Sequence, residues 1–590
     1  YYWAKNGRRD NFIRGKGEYE VSDHLTLVGV GYIQERNYYG TATVPRSSAF
    51  SQIAAAYKYW KSIGGVGLRP DIYPQFAYKD ANGNLVPYGT PGATPVGYKD
   101  LRGSGIYETG DPLDFTSTPT EFSTKQALLA PGSTATNPLA GIPGHTARYE
   151  KFGGPRLGGL GKALYTIGNN LITAGAWVED DFQKTIRPQY NILGGSIVGP
   201  QAFDQVLFVN YDRHIDTKVA NAFIQDDLSL LSDQLKVNFG SKLIWADRVA
   251  TGWLTTADWV NLTRRRNEGK YHDYFLPQVG ASYKLAPHVE VFANYAENFA
   301  VPPSDLLLGL NNPGIDPPIK GEKSRNYEAG VRYSGKSFGA SLAIFTNDYS
   351  NRIAILSLTT QEQIDRNVLN TVGSNYYTSA GAITSKGVEL GAEWKTPITG
   401  LKVVASASYL SSKFGDDLRT AYQSWMDGRN TSLTAADYAV LAPYQALFTV
   451  SSIKNANGDA QYTLAHIAGK YQLNAPKLYG NVDVTYTKGS AFGDWSATFG
   501  TEYKGSVYLN AFNTETLPSY VKNSLFLSWH GKRGTKLEPF SLSLTVSNLF
   551  DKVIYYSSAS GSSPVTATLF GGTVIADQGR QGLLTVEAKF

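Results

Sequence analysis

Apolar and polar side chains alternate residue by residue through much of this chain. At its C-terminus Leu584, Val586, Ala588 and Phe590 alternate with Thr585, Glu587 and Lys589. Phe540, Leu542, Leu544 and Val546 alternate with Ser541, Ser543, Thr545 and Ser547, and Val482, Val484 and Tyr486 with Asn481, Asp483 and Thr485. Val388, Leu390, Ala392 and Trp394 do the same with Glu389, Gly391, Glu393 and Lys395. Successive strand side chains point to opposite faces, so each segment predicts a strand with one apolar and one polar face. One such strand also fits a soluble sandwich. Repeated along a chain, the pattern is that of a transmembrane barrel, apolar towards lipid and polar towards a lumen. Lys395 sets the sense: facing an aqueous lumen it costs little, whereas a Lys facing lipid at mid-membrane costs roughly 2–4 kcal/mol.

The alternation predicts hairpins over 11–21/24–36, 153–166/171–187, 216–231/234–251, 271–285/288–299, 324–333/338–353, 383–395/401–413, 477–488/495–510 and 518–529/539–556, with a last strand over 577–590. That is an all-β antiparallel barrel of about 17 strands. Tight turns close each hairpin, and longer connections join one hairpin to the next. Short periplasmic turns and long extracellular loops are the asymmetry of a bacterial outer-membrane barrel. The longest connection, 37–148, is rich in Gly, Pro, Ser and Thr and is expected to be a large extracellular loop over the barrel mouth. The alternative for it is a disordered insertion. Within it a short helix is predicted over 51–63, with Ser51 as cap and Gly64-Gly65 as stop.

Composition agrees and excludes other classes. Hydrophobic residues make up 42% of the 590 residues, but no run reaches the ~20 apolar residues of a membrane helix. The 39 Tyr and 10 Trp suit interfacial girdles. The absence of Cys removes disulfides, thiol nucleophiles and Cys-held metals. A net charge of +5 is small for this length and points to no nucleic acid. Residue 1 is Tyr and no signal-peptide pattern follows it, so a leader and the first strands are expected to lie outside this sequence.

Several stretches then resemble a known family. Val291-Phe-Ala-Asn-Tyr-Ala-Glu-Asn-Phe-Ala-Val-Pro-Pro303 followed by Gly321-Glu-Lys-Ser-Arg-Asn-Tyr-Glu-Ala-Gly-Val-Arg-Tyr333 resembles the central barrel signature of TonB-dependent outer-membrane receptors. Phe345–Ile353, Ser385–Trp394 and the Asn-Leu-Phe-Asp stretch within Val546–Tyr556 are similar to its later strands, and Phe590 to its terminal assembly signal. The resemblance spans residues 290–590. It implies a 22-stranded barrel occluded by an N-terminal plug, with a TonB box that pairs with TonB and couples to proton-motive force. Neither plug nor TonB box is in this sequence, so 1–590 is expected to be the N-terminally incomplete barrel of a longer receptor.

Candidate ligand residues are aromatic and basic loop residues, because Tyr and Trp pack flat or chelated ligands while keeping a polar handle. They are Tyr57, Tyr59 and Trp60 on the loop helix, Trp259, Tyr376 and Tyr377, and Trp425. Arg187 and Arg213 flank a loop and are expected to point into the mouth. Arg265 lies in the triplet 264–266, which attracts an anionic ligand such as a ferric siderophore, or lipopolysaccharide. The competing reading is an aromatic girdle for the rings and a solvated patch for the triplet. Asp180-Asp181, Asp226-Asp227 and Asp416-Asp417 are acid pairs. Neighbours on a strand face opposite ways, which makes Asp226 and Asp227 poor partners, whereas a loop pair such as Asp416-Asp417 binds Ca²⁺ only with further oxygen ligands that the sequence does not identify. The seven His lack zinc spacing. No catalytic dyad, cofactor or metal site is expected. The implied function is TonB–ExbB–ExbD-energised uptake of a scarce ligand across the outer membrane, a ferric siderophore foremost. A passive porin, or uptake of a carbohydrate, cobalamin or another organic nutrient, stays open, and a barrel enzyme finds no support.

Overall fold

The structure is a computed structural model that describes residues 6–45, scattered positions between 52 and 98, 145–192, 201–304, 307, 319–357, 375–379, 381–421, 434–452, 462–557 and 574–589. Its main sheet holds 17 strands. These are β1 (Asn6–Ser22), β2 (Leu25–Pro45), β3 (His145–Ile167), β4 (Asn170–Ile192), β5 (Gln201–Leu230), β6 (Leu235–Trp253), β7 (Arg265–Ala286), β8 (Val289–Ala300) and β9 (Glu322–Ser334). They continue with β10 (Phe338–Ser350), β11 (Ile383–Lys395), β12 (Leu401–Phe414), β13 (Leu478–Gly489), β14 (Gly493–Lys504), β15 (Tyr520–Gly531), β16 (Phe540–Ser547) and β17 (Gln581–Ala588). Each pairs antiparallel with its neighbours in sequence, as expected. Among the described residues no pairing joins β1 to β17.

The register separates the two faces. Leu527 pairs with Leu544 and Leu544 with Leu584, while Ser528 pairs with Ser543 and Ser543 with Thr585. The apolar face is uncovered by protein: Leu584 is 63% and Val586 70% exposed in a sheet with no second layer over them. On β6 this face runs Leu235, Val237, Phe239, Ser241, Leu243, Trp245 and then turns to Asp247. A tilted strand of that length climbs about 25 Å, the height of an outer-membrane apolar band. The same switch occurs from Val178 to Asp180, Tyr295 to Glu297 and Tyr327 to Arg325, with the Tyr295 and Tyr327 rings 4.9 Å apart at the boundary. The opposite face is knitted by polar side chains. Thr485 and Thr498 lie 2.9 Å apart, and Lys402 pairs with Glu393 at 3.0 Å. Gln278 reaches Gln225 at 2.8 Å across an intervening strand. Gly240 sits between them in register, and only a residue without a side chain leaves that path open.

Several strands exceed their predicted limits. β2 and β3 stay paired up to Pro45 and His145, so the long connection is 46–144 rather than 37–148. β4 and β5 extend to Ile192 and Gln201 where the alternation predicts a loop over 188–215. In this overhang Leu207, Phe208, Val209, Asn210 and Tyr211 are buried one after another, so both faces are covered and the ladder continues without the alternation that marks a half-exposed strand. β16 is shorter than predicted, ending at Ser547. Asn548 there takes a left-handed φ of 49°, and its side chain both donates to the Lys552 carbonyl at 2.8 Å and accepts from its amide at 2.9 Å. That closed loop is what the Asn-Leu-Phe-Asp stretch encodes. Phe590 lies outside the described residues.

The register makes opposite predictions for adjacent positions. Leu544→Lys puts a charge on the lipid face and is expected to cost assembly roughly 2–4 kcal/mol, read as loss of heat-modifiable migration in gels. Ser543→Lys faces the lumen and is expected to assemble normally. Equal assembly of the two variants overturns the assignment of faces.

Candidate ligand-binding mouth

The overhanging ends of β3–β7 carry the densest polar cluster on the lumenal face. Arg187 of β4 pairs with Glu150 of β3 at 2.5 Å, and the Tyr211 hydroxyl donates to the same carboxylate at 2.5 Å. Both Arg187 and Arg213 stack over the Tyr211 ring, at 4.9 and 4.1 Å from its centre. Burial pushes the Tyr211 hydroxyl well above the usual phenol range. Burial also works to raise Glu150, but the hydrogen bonds from Tyr211 and Arg187 overcome it and hold that carboxyl below its ordinary value. The Nε atom of Arg187 is buried without a hydrogen-bond partner. Nearer the band, Arg156 pairs with Glu179 at 2.7 Å, Glu179 accepts from Tyr32, and Arg36 pairs with Asp181. A second recess at the mouth, of about 260 Å³, lies between β13 and β15 and is lined by Asn474, Lys504, Tyr520, Tyr555 and Tyr556.

Connecting segments fold back on this wall. Leu307 packs with Ile215, Ala250 and Leu254, and Asn267 donates to the Leu307 carbonyl at 2.6 Å. Arg248 donates to the Pro302 carbonyl. Between β6 and β7 lies a short helix, α1 (Thr256–Val260), opened by a reciprocal capping box between Thr255 and Asp258. From the long 46–144 connection, Arg69 reaches α1. It is 1% exposed, donates to the carbonyls of Trp259 at 2.6 Å and Val260 at 2.8 Å, lies 4.5 Å over the Trp259 ring and pairs with Asp71 at 2.8 Å. A guanidinium at the C-terminal carbonyls of a helix satisfies groups that have no partner within it.

The barrel wall of paired neighbours is the fold that comparison with known proteins finds again. The sequence model of the family described as "TonB dependent receptor-like, beta-barrel" matches residues 37–549. This chain belongs to the TonB-dependent receptor family. Among curated proteins it is 24% identical over 299 residues to an uncharacterized TonB-dependent receptor of Haemophilus influenzae, a match covering 49% of this chain and 66% of that one. Among solved structures it is similar in fold to the ferric preacinetobactin receptor BauA of Acinetobacter baumannii, with a TM-score of 0.53 and 12% identity over 100% of this chain and 64% of that one. It is similar also to the unliganded ferric citrate transporter FecA, with a TM-score of 0.57 and 12% identity over 99% of this chain and 62% of that one. The chain therefore spans a little under two thirds of the length of these relatives.

Against this TonB-dependent receptor barrel the predicted ligand residues divide. Arg187 and Arg213 come together on Tyr211, a residue the sequence reading did not single out. Trp259 is fully buried, 6.1 Å from Phe208 and under Arg69, so its ring anchors a loop and is closed to ligand. Arg265 pairs with the buried Asp258 at 2.5 Å, Arg266 with Glu268 at 2.7 Å, and Arg264 lies 4.8 Å over Trp253. The basic triplet is thus dispersed among separate partners. Tyr59 and Trp60 lie on the expected helix. Gly64 has a φ of 83° while Gly65 donates to the Trp60 carbonyl at 2.9 Å, a Schellman geometry at the stop predicted for Gly64-Gly65. Tyr376 and Tyr377 belong to a short strand, Asn375–Ser379, paired with Ile353–Ser357. Their side chains, Tyr57 and Trp425 lie outside the described residues.

The acidic pairs separate as their alternation requires. Asp181 meets Arg36 while Asp180 pairs in register with Lys218 on the opposite face. Asp416 accepts from the Ala382 amide at 2.7 Å, and Asp417 accepts from His466 Nδ1 at 2.8 Å and the Ala468 amide at 2.9 Å. Among the described residues no cluster of three metal-ligating side chains occurs. One constellation was missed. Thr449 and His466 Nε2 lie 2.8 Å apart, so that Thr449, His466 and Asp417 form a hydroxyl–imidazole–carboxylate chain. It ties together the ends of three extracellular strands, Leu418–Ala421, Phe448–Val450 and Tyr462–Ala465. The three residues are too far apart in sequence for any spacing rule to join them. Burial works to raise the Asp417 carboxyl, but His466 and the two backbone amides hold it below its ordinary 3.8.

Two outcomes follow for the loops. Arg69→Ala removes the two hydrogen bonds to α1, the pair with Asp71 and a stacked cation, of which the contacts to α1 are worth roughly 2–3 kcal/mol of local stability, and is expected to open 46–144 to limited proteolysis while heat-modifiable migration is retained. The Asp417 carboxyl is depressed in the fold, so its contribution is complete above the unfolded value near 3.8 and lost as pH falls through the lower folded value. Proteolysis within 418–465 is expected to be flat from pH 7 to about 5 and to rise only below about 4, with Asp417→Asn abolishing that step. A step above about pH 5 in the parent protein overturns the assignment to Asp417.

Proposed function

We propose that this chain is the barrel of an outer-membrane receptor that takes up a scarce ligand, a ferric siderophore foremost, with TonB, ExbB and ExbD supplying energy through a region beyond this sequence. The observation that carries the reading is the Arg187–Tyr211–Arg213 group at the lumenal mouth. A ferric chelate is bulky, often anionic and edged with aromatic or carboxylate oxygens. Guanidiniums suit it because their planar donors stack on rings and bind carboxylates in pairs. Glu150 neutralises only part of this charge and orients Arg187 and Tyr211 towards each other. Two similar folds, named for ferric preacinetobactin and for ferric citrate, support an iron chelate over a sugar or cobalamin.

The test is uptake of radiolabelled iron as citrate, catecholate and hydroxamate chelates by cells carrying the full receptor, with and without an uncoupler. Energy-dependent uptake of one chelate class is expected. Uptake untouched by the uncoupler makes the protein a passive pore, and uptake of none of the chelates removes the iron reading. Arg213→Ala is expected to weaken binding of the accepted chelate by roughly tenfold, the order of one charge-assisted hydrogen bond. Deleting 51–63 is expected to lower uptake while the barrel still shows heat-modifiable migration.

A further inference from the structure

Just above the apolar band, outward-facing charges on most of the wall cancel in place. Asp180, Lys218, Asp247 and Lys270 form one row of alternating sign across β4–β7. Lys323 sits 3.1 Å from Asp273 and 2.7 Å from Glu297, and Arg325 is 3.3 Å from Glu297. On β11–β13 the pattern breaks. Tyr409 and Val388 pair at the top of the band, both exposed, with Leu478 beside them. One pleat higher on the same face Lys386 pairs with Ser411, and one pleat above that Lys413 bridges to Tyr471. Lys477 Nζ lies 3.8 Å from the Tyr471 ring centre and 6.0 Å from that of Tyr508, Lys413 Nζ lies 4.8 Å from Tyr471, and the two rings stack at 5.8 Å and 17°. Among the described residues none of the three lysines has an ion-pair partner. The nearest carboxylate in register is Asp348, two strands from Lys413, and it already accepts from Thr384 at 2.8 Å.

We propose that Lys386, Lys413 and Lys477, set on the Tyr471–Tyr508 stack, form a docking site for the phosphate groups of a phosphorylated glycolipid in the outer leaflet. The inference rests on the barrel spanning the outer membrane and is independent of what it imports. Position argues for a lipid over a soluble anion. The lysines face away from the lumen, and the exposed Tyr409, Val388 and Leu478 directly beneath them offer an apolar track for acyl chains. The stacked rings fix the height of the charges. Lys477 lies over Tyr471 within reach of Tyr508, and the Ser411 side chain hydrogen-bonds Tyr471 between Lys386 and Lys413. The lysines also act on their platform: the hydrogen bond and charge of Lys477, with Lys413 behind it, hold the Tyr471 hydroxyl below its ordinary value.

The test measures binding of diphosphorylated lipid A in mixed micelles to the full receptor and to a variant carrying Lys386→Ser, Lys413→Ser and Lys477→Ser. The variant is expected to bind about a hundredfold more weakly, the product of three lysines near a charged surface, with unchanged heat-modifiable migration. A variant changed on the opposite rim, Lys336→Ser with Lys532→Ser and Lys536→Ser, is expected to bind as the parent does. Dephosphorylated lipid is expected to bind the parent as weakly as lipid A binds the triple variant. Equal binding by parent and triple variant overturns the proposal. So does equal loss in the opposite-rim variant, which makes the effect one of net charge. Complete displacement by millimolar inorganic phosphate also overturns it, because the site then takes a free anion. Loss of iron uptake in cells leaves these binding results unchanged, so failure of the transport reading and failure of this one are separate.

Discussion

The constraint on which this structure depends is that a backbone crossing hydrocarbon has no water to bond to. Every amide and carbonyl in the band must find a partner in the wall itself. A meander of antiparallel strands meets that demand, because each strand finds its partners on its sequence neighbours. The two-residue alternation is a consequence. Once both edges of a strand are committed to hydrogen bonds, only the faces remain to sort side chains, lipid on one side and water on the other. The paired serines and threonines of β15–β17 and the leucines one residue away belong to the same rule.

That rule explains what the sequence makes legible. Strand number, hairpin order and inward or outward register all follow from the alternation, since one slip would turn every apolar residue in a strand to the wrong side. Legibility ends at the top of the band. There residues on both faces of β4 and β5 are covered alike, no face is sorted from the other, and the two strands read as a loop although they remain paired. The helical turn at Tyr59 and Trp60 was readable because its stop is chemical, a glycine in a left-handed conformation. The helix at 256–260 was missed although its cap, Thr255 with Asp258, is written in the sequence.

The mouth was legible only in part, for a related reason. Arg187 and Arg213 were marked by their place at strand ends, but the ring that joins them lies within a strand and has no local signature. Trp259 and Arg265 carry the right chemistry in the wrong place. One is a buried anchor and the other is spent on Asp258. Residue type announces what a side chain is able to do, and the partners that already occupy it are set by contacts remote in sequence. Arg69 shows this most sharply, since nothing near it in sequence hints that it closes a helix almost two hundred residues away.

The overhang of β3–β6 has a consequence for selectivity. Tyr211 and its two arginines hang from a continuous ladder of backbone bonds and are not carried on a loop. Such a group behaves as a caliper with a fixed gap. As the ligand site proposed above, it would discriminate by the span between a ligand's charged and flat edges and would adapt little to a ligand of the wrong size. Its selectivity would then be written in strand side chains, and the outer loops could vary without retuning what the mouth accepts.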